Sequence, residues 1–421
     1  MSGVAEGPVT AVDVVTSRPP RPRFPCFDGL RAIAVLAALI THVAYVTGAS
    51  ADAPYRSYTS NLEIGPAIFF MISAFLLYHS YVSDSFDDRQ PMRAMSFWWR
   101  RLLRVVPAYW LALTGLIVLF DVHVSGLHDI IIYYGFLQIY DTHRFLGAIP
   151  QAWTLCVELS FYAMLPGYAW LLRRWTAGRR LESRLRMELL GAAALVAICY
   201  VYRSAVYALD GRHAVGRIAT HWLPGYLDLF AIGMALAAIH AYVTRRGTNP
   251  AVEWVGRLPW LWWLLAAGCV WLVAVRLGLP RLPLPGNTPI GWTADCQQIL
   301  QSLAALFLCL PAVFGAQDRG GVRAFLRWRP VAFIGTVSYG VYLWHEGWLT
   351  KWIDWTGRAS LGDLVTGHGP YRASTFPLIM VLTLAGAVAC ATLSYYLVER
   401  PMLRLKDRMP HLPAARRGAV L

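Results

Sequence analysis

Charge is scarce in this chain. Asp, Glu, Lys and Arg make up only 15% of its 421 residues, where a soluble globular domain carries about 25%. That shortage excludes an ordinary water-soluble enzyme of this length. Lysine is nearly missing: Lys351 and Lys406 are the only two among 38 basic residues, an arginine bias that suggests a GC-rich bacterial genome. Cysteine is present but unpatterned. Cys26, Cys156, Cys199, Cys269, Cys296, Cys309 and Cys390 show no CxxC spacing and mostly lie inside apolar runs. They read as small buried hydrophobes rather than a disulfide or metal framework. Residues 1–26, with Pro19, Pro20, Pro22 and Pro25, lack the apolar core and basic flank of a signal peptide and read as a flexible tail.

What the chain has is apolar length. Hydrophobic residues reach 57% and fall in runs of about 20, enough to cross a bilayer. The formal charge of +14 would suit nucleic acid, but the arginines sit in short loops between apolar runs, where the positive-inside rule places them. The expected fold class is all-α: a polytopic membrane helix bundle of about ten transmembrane helices, both termini cytoplasmic. The runs are 28–48, 62–82, 104–122, 151–172, 187–207, 222–242, 258–277, 296–316, 331–350 and 376–398. Residues 129–140 are apolar but too short to cross, and read as a half-inserted or interfacial helix outside. Phe97, Trp98 and Trp99 beside Arg100 and Arg101 read as an interfacial segment on the inner leaflet. The expected domains are a cytoplasmic tail 1–26, a membrane domain 27–402 and a basic cytoplasmic tail 403–421, with outer loops at 278–295 and 351–373 and no further soluble domain.

The first run, FDGLRAIAVLAALITHVAYVTG, organises the rest. Arg31 and His42 interrupt it, eleven positions apart. In a helix they share a face and are displaced by roughly 16 Å along the axis. An ionisable group inside a membrane is by default a functional candidate, because burying it is costly. Counted from the ends of their runs, Glu158 and His345 fall at the depth of His42, in the outer half. A carboxylate beside an imidazole fixes its tautomer and stabilises the imidazolium, so Glu158 is the expected orienter of His42. On the inner side, Arg101 and Arg104 share one helix face near Arg31. Planar guanidinium forks suit phosphate. Phosphates at the inner surface and a reactive end about 16 Å deeper describe coenzyme A. No metal and no nucleic acid is implied.

These stretches resemble the acyltransferase-3 family of membrane acyltransferases over about residues 27–402. FDGLRAIAVLAALITH looks like its opening motif, with an Arg and a His separated by ten residues. FFMISAFLLY (69–78) is similar to its Phe-rich serine motif, and RRLLRVVPAYW carries its RxxR and proline at Arg101, Arg104 and Pro107. AWTLCVELSFY, FIGTVSYGVYLWH and LVERP match later motifs in the family's order. Ala32, Ala74, Thr154 and Leu159 depart from the usual residues and bear on acceptor and acyl preference. The resemblance implies ten core spans in a bacterial plasma membrane. It also implies O-acyl transfer, O-acetyl transfer foremost, from cytoplasmic acyl-CoA to a hydroxyl of an envelope sugar, a glycolipid or a macrolide. Arg31, Arg101 and Arg104 would then hold the donor. His42 and Glu158 would be catalytic, with His42 either a general base or an acylated nucleophile. Ser73, Tyr339 and His345 would line the acceptor side or help hold the oxyanion. The rival reading is a proton-coupled exporter of a sugar or lipid-linked sugar, using the same His and Glu as a relay.

Overall fold

A computed structural model describes residues 22–52, 55–59, 62–210, 214–247, 250–277, 291–355 and 373–405. Most of both tails and most of the 278–295 and 351–373 loops lie outside the described residues. Ten long helices dominate the described chain, which contains no strand: α1 (Cys26–Val46), α2 (Ile64–Phe86), α3 (Ala94–Leu119), α4 (Trp153–Thr176), α5 (Leu181–Asp210), α6 (Leu227–Arg246), α7 (Pro259–Trp271), α8 (Trp292–Val313), α9 (Arg329–Trp355) and α10 (Phe376–Ser394). Nine of them, α9 excepted, belong to segments long and apolar enough to cross a membrane. At 27 residues, α9 is about 40 Å long and has the reach. It fails on polarity, because Tyr339, Tyr342, His345, Glu346 and Lys351 dilute its apolar residues.

The packing explains that polarity. α9 lies against α1 and α10, while α6 lies against α2 and α5; α1 also packs on α2, and α7 on α8. Both α1 and α9 therefore pack largely against other helices, and Tyr342 and His345 of α9 are buried in protein. The α2–α6 pair approaches closely at Gly233, where a Cβ would strike the backbone of Met71; small residues permit such contacts in membranes. One basic residue, Arg323 of the short helix Gly321–Leu326, caps the end of α8. Arg323 donates to the carbonyls of Pro311 and Phe314 at the end of α8, both at 2.8 Å, satisfying groups the helix leaves unpaired.

Two segments differ from expectation. Phe97–Trp99 form no separate interfacial segment: they continue into α3, and Trp98 Nε1 donates to the Tyr162 carbonyl of α4 at 2.9 Å. Residues 126–152 form a short helix (Gly126–Tyr134) and two 3-10 turns (Gln138–Tyr140 and Pro150–Ala152). Gln138, Ile139, Ile149, Gln151 and Ala152 are buried. Non-helical backbone in a membrane needs internal partners, and neighbouring helices supply them. Tyr109 Oη, Trp110 Nε1 and Trp222 Nε1 donate to the carbonyls of Tyr133, Tyr134 and Ile139. Phe136 and Ala148 adopt left-handed backbone conformations here, which non-glycine residues rarely take. The segment therefore dips into the bundle, and α4 begins inside it.

Candidate active site: a histidine–glutamate cluster above an arginine layer

On one side of the site, α1 and α9 bring three polar residues together. His42 Nδ1 lies 2.6 Å from Glu346 Oε1 and 2.8 Å from His345 Nε2. His345 Nδ1 faces the carbonyls of Tyr342 at 2.9 Å and Val341 at 3.2 Å. A carbonyl only accepts, so His345 carries its proton on Nδ1 and presents a lone pair at Nε2. His42 then donates from Nδ1 to His345 Nε2 and the Glu346 carboxylate. Its own Nε2 is left as a lone pair, and among the described residues no protein group bonds it. His345 is completely buried, whereas the His42 and Glu346 side chains keep 26% and 20% of their surface. Both therefore keep part of their surface open where α1 meets α9.

The supports reach further. Gln151 Nε2 donates to the Tyr342 carbonyl at 2.7 Å, the same oxygen that holds His345. Thr154 Oγ1 donates to Tyr342 Oη at 3.2 Å. The dipping segment thus braces the turn of α9 that fixes the imidazole. Near the end of α1, Tyr45 Oη donates to Glu63 at 3.4 Å, and Glu63 interacts electrostatically with His42.

The other layer gathers at the opposite end of α1. Arg31 Nη1 donates to Asp28 at 2.7 Å and interacts electrostatically with Arg104 and Glu158. Ser73 Oγ and Tyr162 Oη both donate to Glu158 Oε1 at 2.5 Å. Arg104 is exposed and lies close enough to Glu399 of the LVERP stretch to act on its charge. Arg101 packs over the Phe97 ring at 5.9 Å. Tyr339 Oη donates to the Val105 carbonyl at 2.8 Å and senses Glu399 and Glu158. Arg31, Ser73, Glu158 and Tyr339 all retain partial exposure.

Several expected placements change. Glu158 does not pair with His42. Its hydrogen bonds go to Ser73 and Tyr162, and the carboxylate on His42 is Glu346. The reason is the start of α4: counting from a membrane surface puts Glu158 too near the outside, because the residues before Trp153 are already inside the bundle. Ser73 and Tyr339 likewise fall in the arginine layer, away from the expected acceptor side. His345 does fall beside His42, as its expected depth required, and touches it directly. Sequence reasoning missed Glu346 and Glu63. Glu346 carried a usable signal, an acid beside a histidine within an apolar run.

The cluster could also hold a cation. One ligand atom each from His42, His345 and Glu346 lies within 4.8 Å of the others. Zinc ligands at 2.0–2.1 Å in a tetrahedron stand about 3.3 Å apart, so an ion would have to push open the 2.6 and 2.8 Å hydrogen bonds.

A bundle of apolar helices of this length, with polar residues of α1 and α9 and arginines of α1 and α3 turned towards one another, is that of a multi-pass membrane protein. The chain belongs to the acyltransferase-3 family, whose acyltransferase-domain model matches residues 24–396. It is 22% identical to peptidoglycan O-acetyltransferase OatA of Listeria monocytogenes, over 92% of this chain and 57% of that protein. It is 26% identical to exopolysaccharide production protein ExoZ of Rhizobium meliloti, over 81% and 89% respectively. It is 25% identical to nodulation protein 10 of Rhizobium leguminosarum, over 82% and 83%. The chain thus spans little more than half the length of the Listeria protein. No solved structure is significantly similar to it.

Proposed function

We propose that this protein is a bacterial plasma-membrane O-acyltransferase moving an acyl group, acetyl foremost, from cytoplasmic acyl-CoA to a carbohydrate hydroxyl. One observation carries the reading: the His42 Nε2 lone pair is set up by Glu346 and His345, roughly 16 Å along one helix face from Arg31. Arg31, Arg101 and Arg104 would grip the phosphates of the donor, whose pantetheine arm spans the rise to His42. The similarity to relatives named for peptidoglycan and exopolysaccharide favours a sugar acceptor.

In this mechanism the acceptor O–H gives its proton to His42 Nε2 as its oxygen attacks the thioester carbon. Glu346 stabilises the imidazolium that forms. The C–S bond then breaks, and the departing thiolate takes the proton from Nε2, leaving the acceptor ester and free CoA. His345 is a positioning residue, because its fixed tautomer keeps the His42 proton on Nδ1. Glu158 belongs to the donor end, where it and the Ser73 and Tyr162 hydroxyls balance the arginines.

Purified protein in lipid nanodiscs tests the reading. His42→Ala should abolish transfer while acyl-CoA still binds; retained turnover would refute the assignment. Arg104→Ala should raise the KM for acyl-CoA about five- to tenfold with kcat nearly unchanged, since phosphate contacts are made equally in ground and transition states. A loss confined to kcat would remove Arg104 from the donor site.

A further inference from the structure

Beside the His42 cluster lies a wall of rings that the mechanism above does not use. The Trp153 ring, at the start of α4, packs on Tyr226 with centroids 5.3 Å apart and on His221 edge-on at 5.0 Å. All three are only partly buried. A chain of contacts ties this wall to the site in both directions. On one side, Thr154, next to Trp153, bonds Tyr342 Oη at 3.2 Å, and the Tyr342 carbonyl holds His345. On the other side, Glu63 interacts electrostatically with Tyr226 and with His42. Glu63 is exposed by surface area, and its carboxylate accepts from Tyr45 Oη, one turn beyond His42 on α1. Phe70, two turns beyond Glu63 along α2, packs on both Trp153 and Tyr226.

That combination selects a ligand chemistry. A lipid chain would match the aromatic faces but offer no donor to the Glu63 carboxylate, whose hydrogen bond from Tyr45 is long at 3.4 Å. An inorganic anion would be repelled by Glu63. A pyranose offers an apolar C–H face to aromatic rings and hydroxyl donors to a carboxylate, as sites with mostly apolar lining and a few placed polar groups require. We propose that the surface formed by the packed Trp153–Tyr226 pair and the nearby Glu63 carboxylate is the acceptor site, and that it binds a pyranose ring with one hydroxyl directed at His42. This inference rests on the acyltransferase reading for its direction, and on the wall itself for the ligand class.

Binding can be measured without turnover. Full-length protein in nanodiscs would be titrated calorimetrically with N-acetylchitotetraose, cellotetraose and trehalose, and separately with acetyl-CoA. At least one sugar should bind. Trp153→Leu, which keeps an apolar side chain, should weaken it about tenfold, and Glu63→Gln by a similar factor, with acetyl-CoA affinity within twofold of the parent. Glu63→Gln changes an exposed residue, so it remains informative if Trp153→Leu folds poorly. Binding of acetyl-CoA but of no sugar, or sugar binding indifferent to both substitutions, overturns the acceptor site and leaves the donor reading standing. Sugar binding that depends on Trp153 in a protein that ignores acetyl-CoA upholds the site and removes the acyl-CoA mechanism.

Discussion

Asp228 on α6 and Glu346 on α9 are both carboxylates turned into the same bundle, yet their surroundings differ. Asp228 is 1% exposed. Gln298 Nε2 donates to both its oxygens at 3.0 and 3.2 Å, and Ser302 Oγ and Tyr200 Oη add bonds at 2.7 and 3.2 Å. These donors come from α5 and α8, so the carboxylate ties three helices together. Glu346 instead shares one oxygen with a titratable imidazole and keeps a fifth of its surface open. Buried polar groups are tolerated when hydrogen-bonded, and Asp228 fully meets that condition. Glu346 pairs with a group whose other nitrogen remains available. The contrast teaches that open bonding capacity facing an accessible space, and not burial of charge alone, marks the reactive carboxylate.

The largest expected effect tests Glu346. Glu346→Gln keeps size and a hydrogen-bond acceptor but cannot stabilise a positive imidazole. The kcat should fall about a hundred- to ten-thousand-fold, the range general-base catalysis supplies, with the KM for acyl-CoA little changed. Asp228→Asn should do the opposite. It should leave kcat near the parent value and lower thermal stability, by about 1–3 kcal/mol for disturbed buried hydrogen bonds, read as an earlier melting transition in detergent. If Asp228→Asn lost activity as steeply as Glu346→Gln without losing stability, the distinction between the two carboxylates would collapse.

Much of this was legible in the sequence, for definite reasons. Apolar runs of bilayer length have few alternatives to helix, so all ten long helices overlap the expected spans. Arg31 and His42 lie on one continuous helix, where helical rise fixes their spacing. Glu158 was misplaced because its depth was counted from the start of its apolar run, whereas Gln151 and Ala152 just before α4 are already buried. The buried turns before Trp153 leave only a short apolar run as a trace. Glu346 was hidden by adjacency: neighbours on a helix point about 100° apart, so His345 and Glu346 look as if only one can face a partner. Both reach His42 because its Nδ1 lies between their nearest atoms.

The smallest expected effect lies at the exposed end of the same comparison. Asp88 follows α2 and takes a two-pronged bond from Arg184, at 2.7 and 3.1 Å. The Arg184 hydrogen bonds hold the Asp88 carboxyl below its ordinary value. A carboxyl with a depressed folded-state pKa adds stability that is fully present above the unfolded value near about 3.9. That stability is lost as pH falls through the folded value. The Asp88 side chain is 71% exposed, so solvent screens the pair and the contribution should stay below about 1 kcal/mol. Asp88 also sits in the left-handed region, at φ 52°, which Asn tolerates at least as well. Asp88→Asn therefore removes the charge without adding backbone strain. Melting of parent and variant should differ slightly at neutral pH and converge as the pH drops below the carboxylate range, because protonation then neutralises the parent too. A gap that persists or widens in acid would show that Arg184 depends on Asp88 for geometry rather than charge, which would align this exposed pair with Asp228.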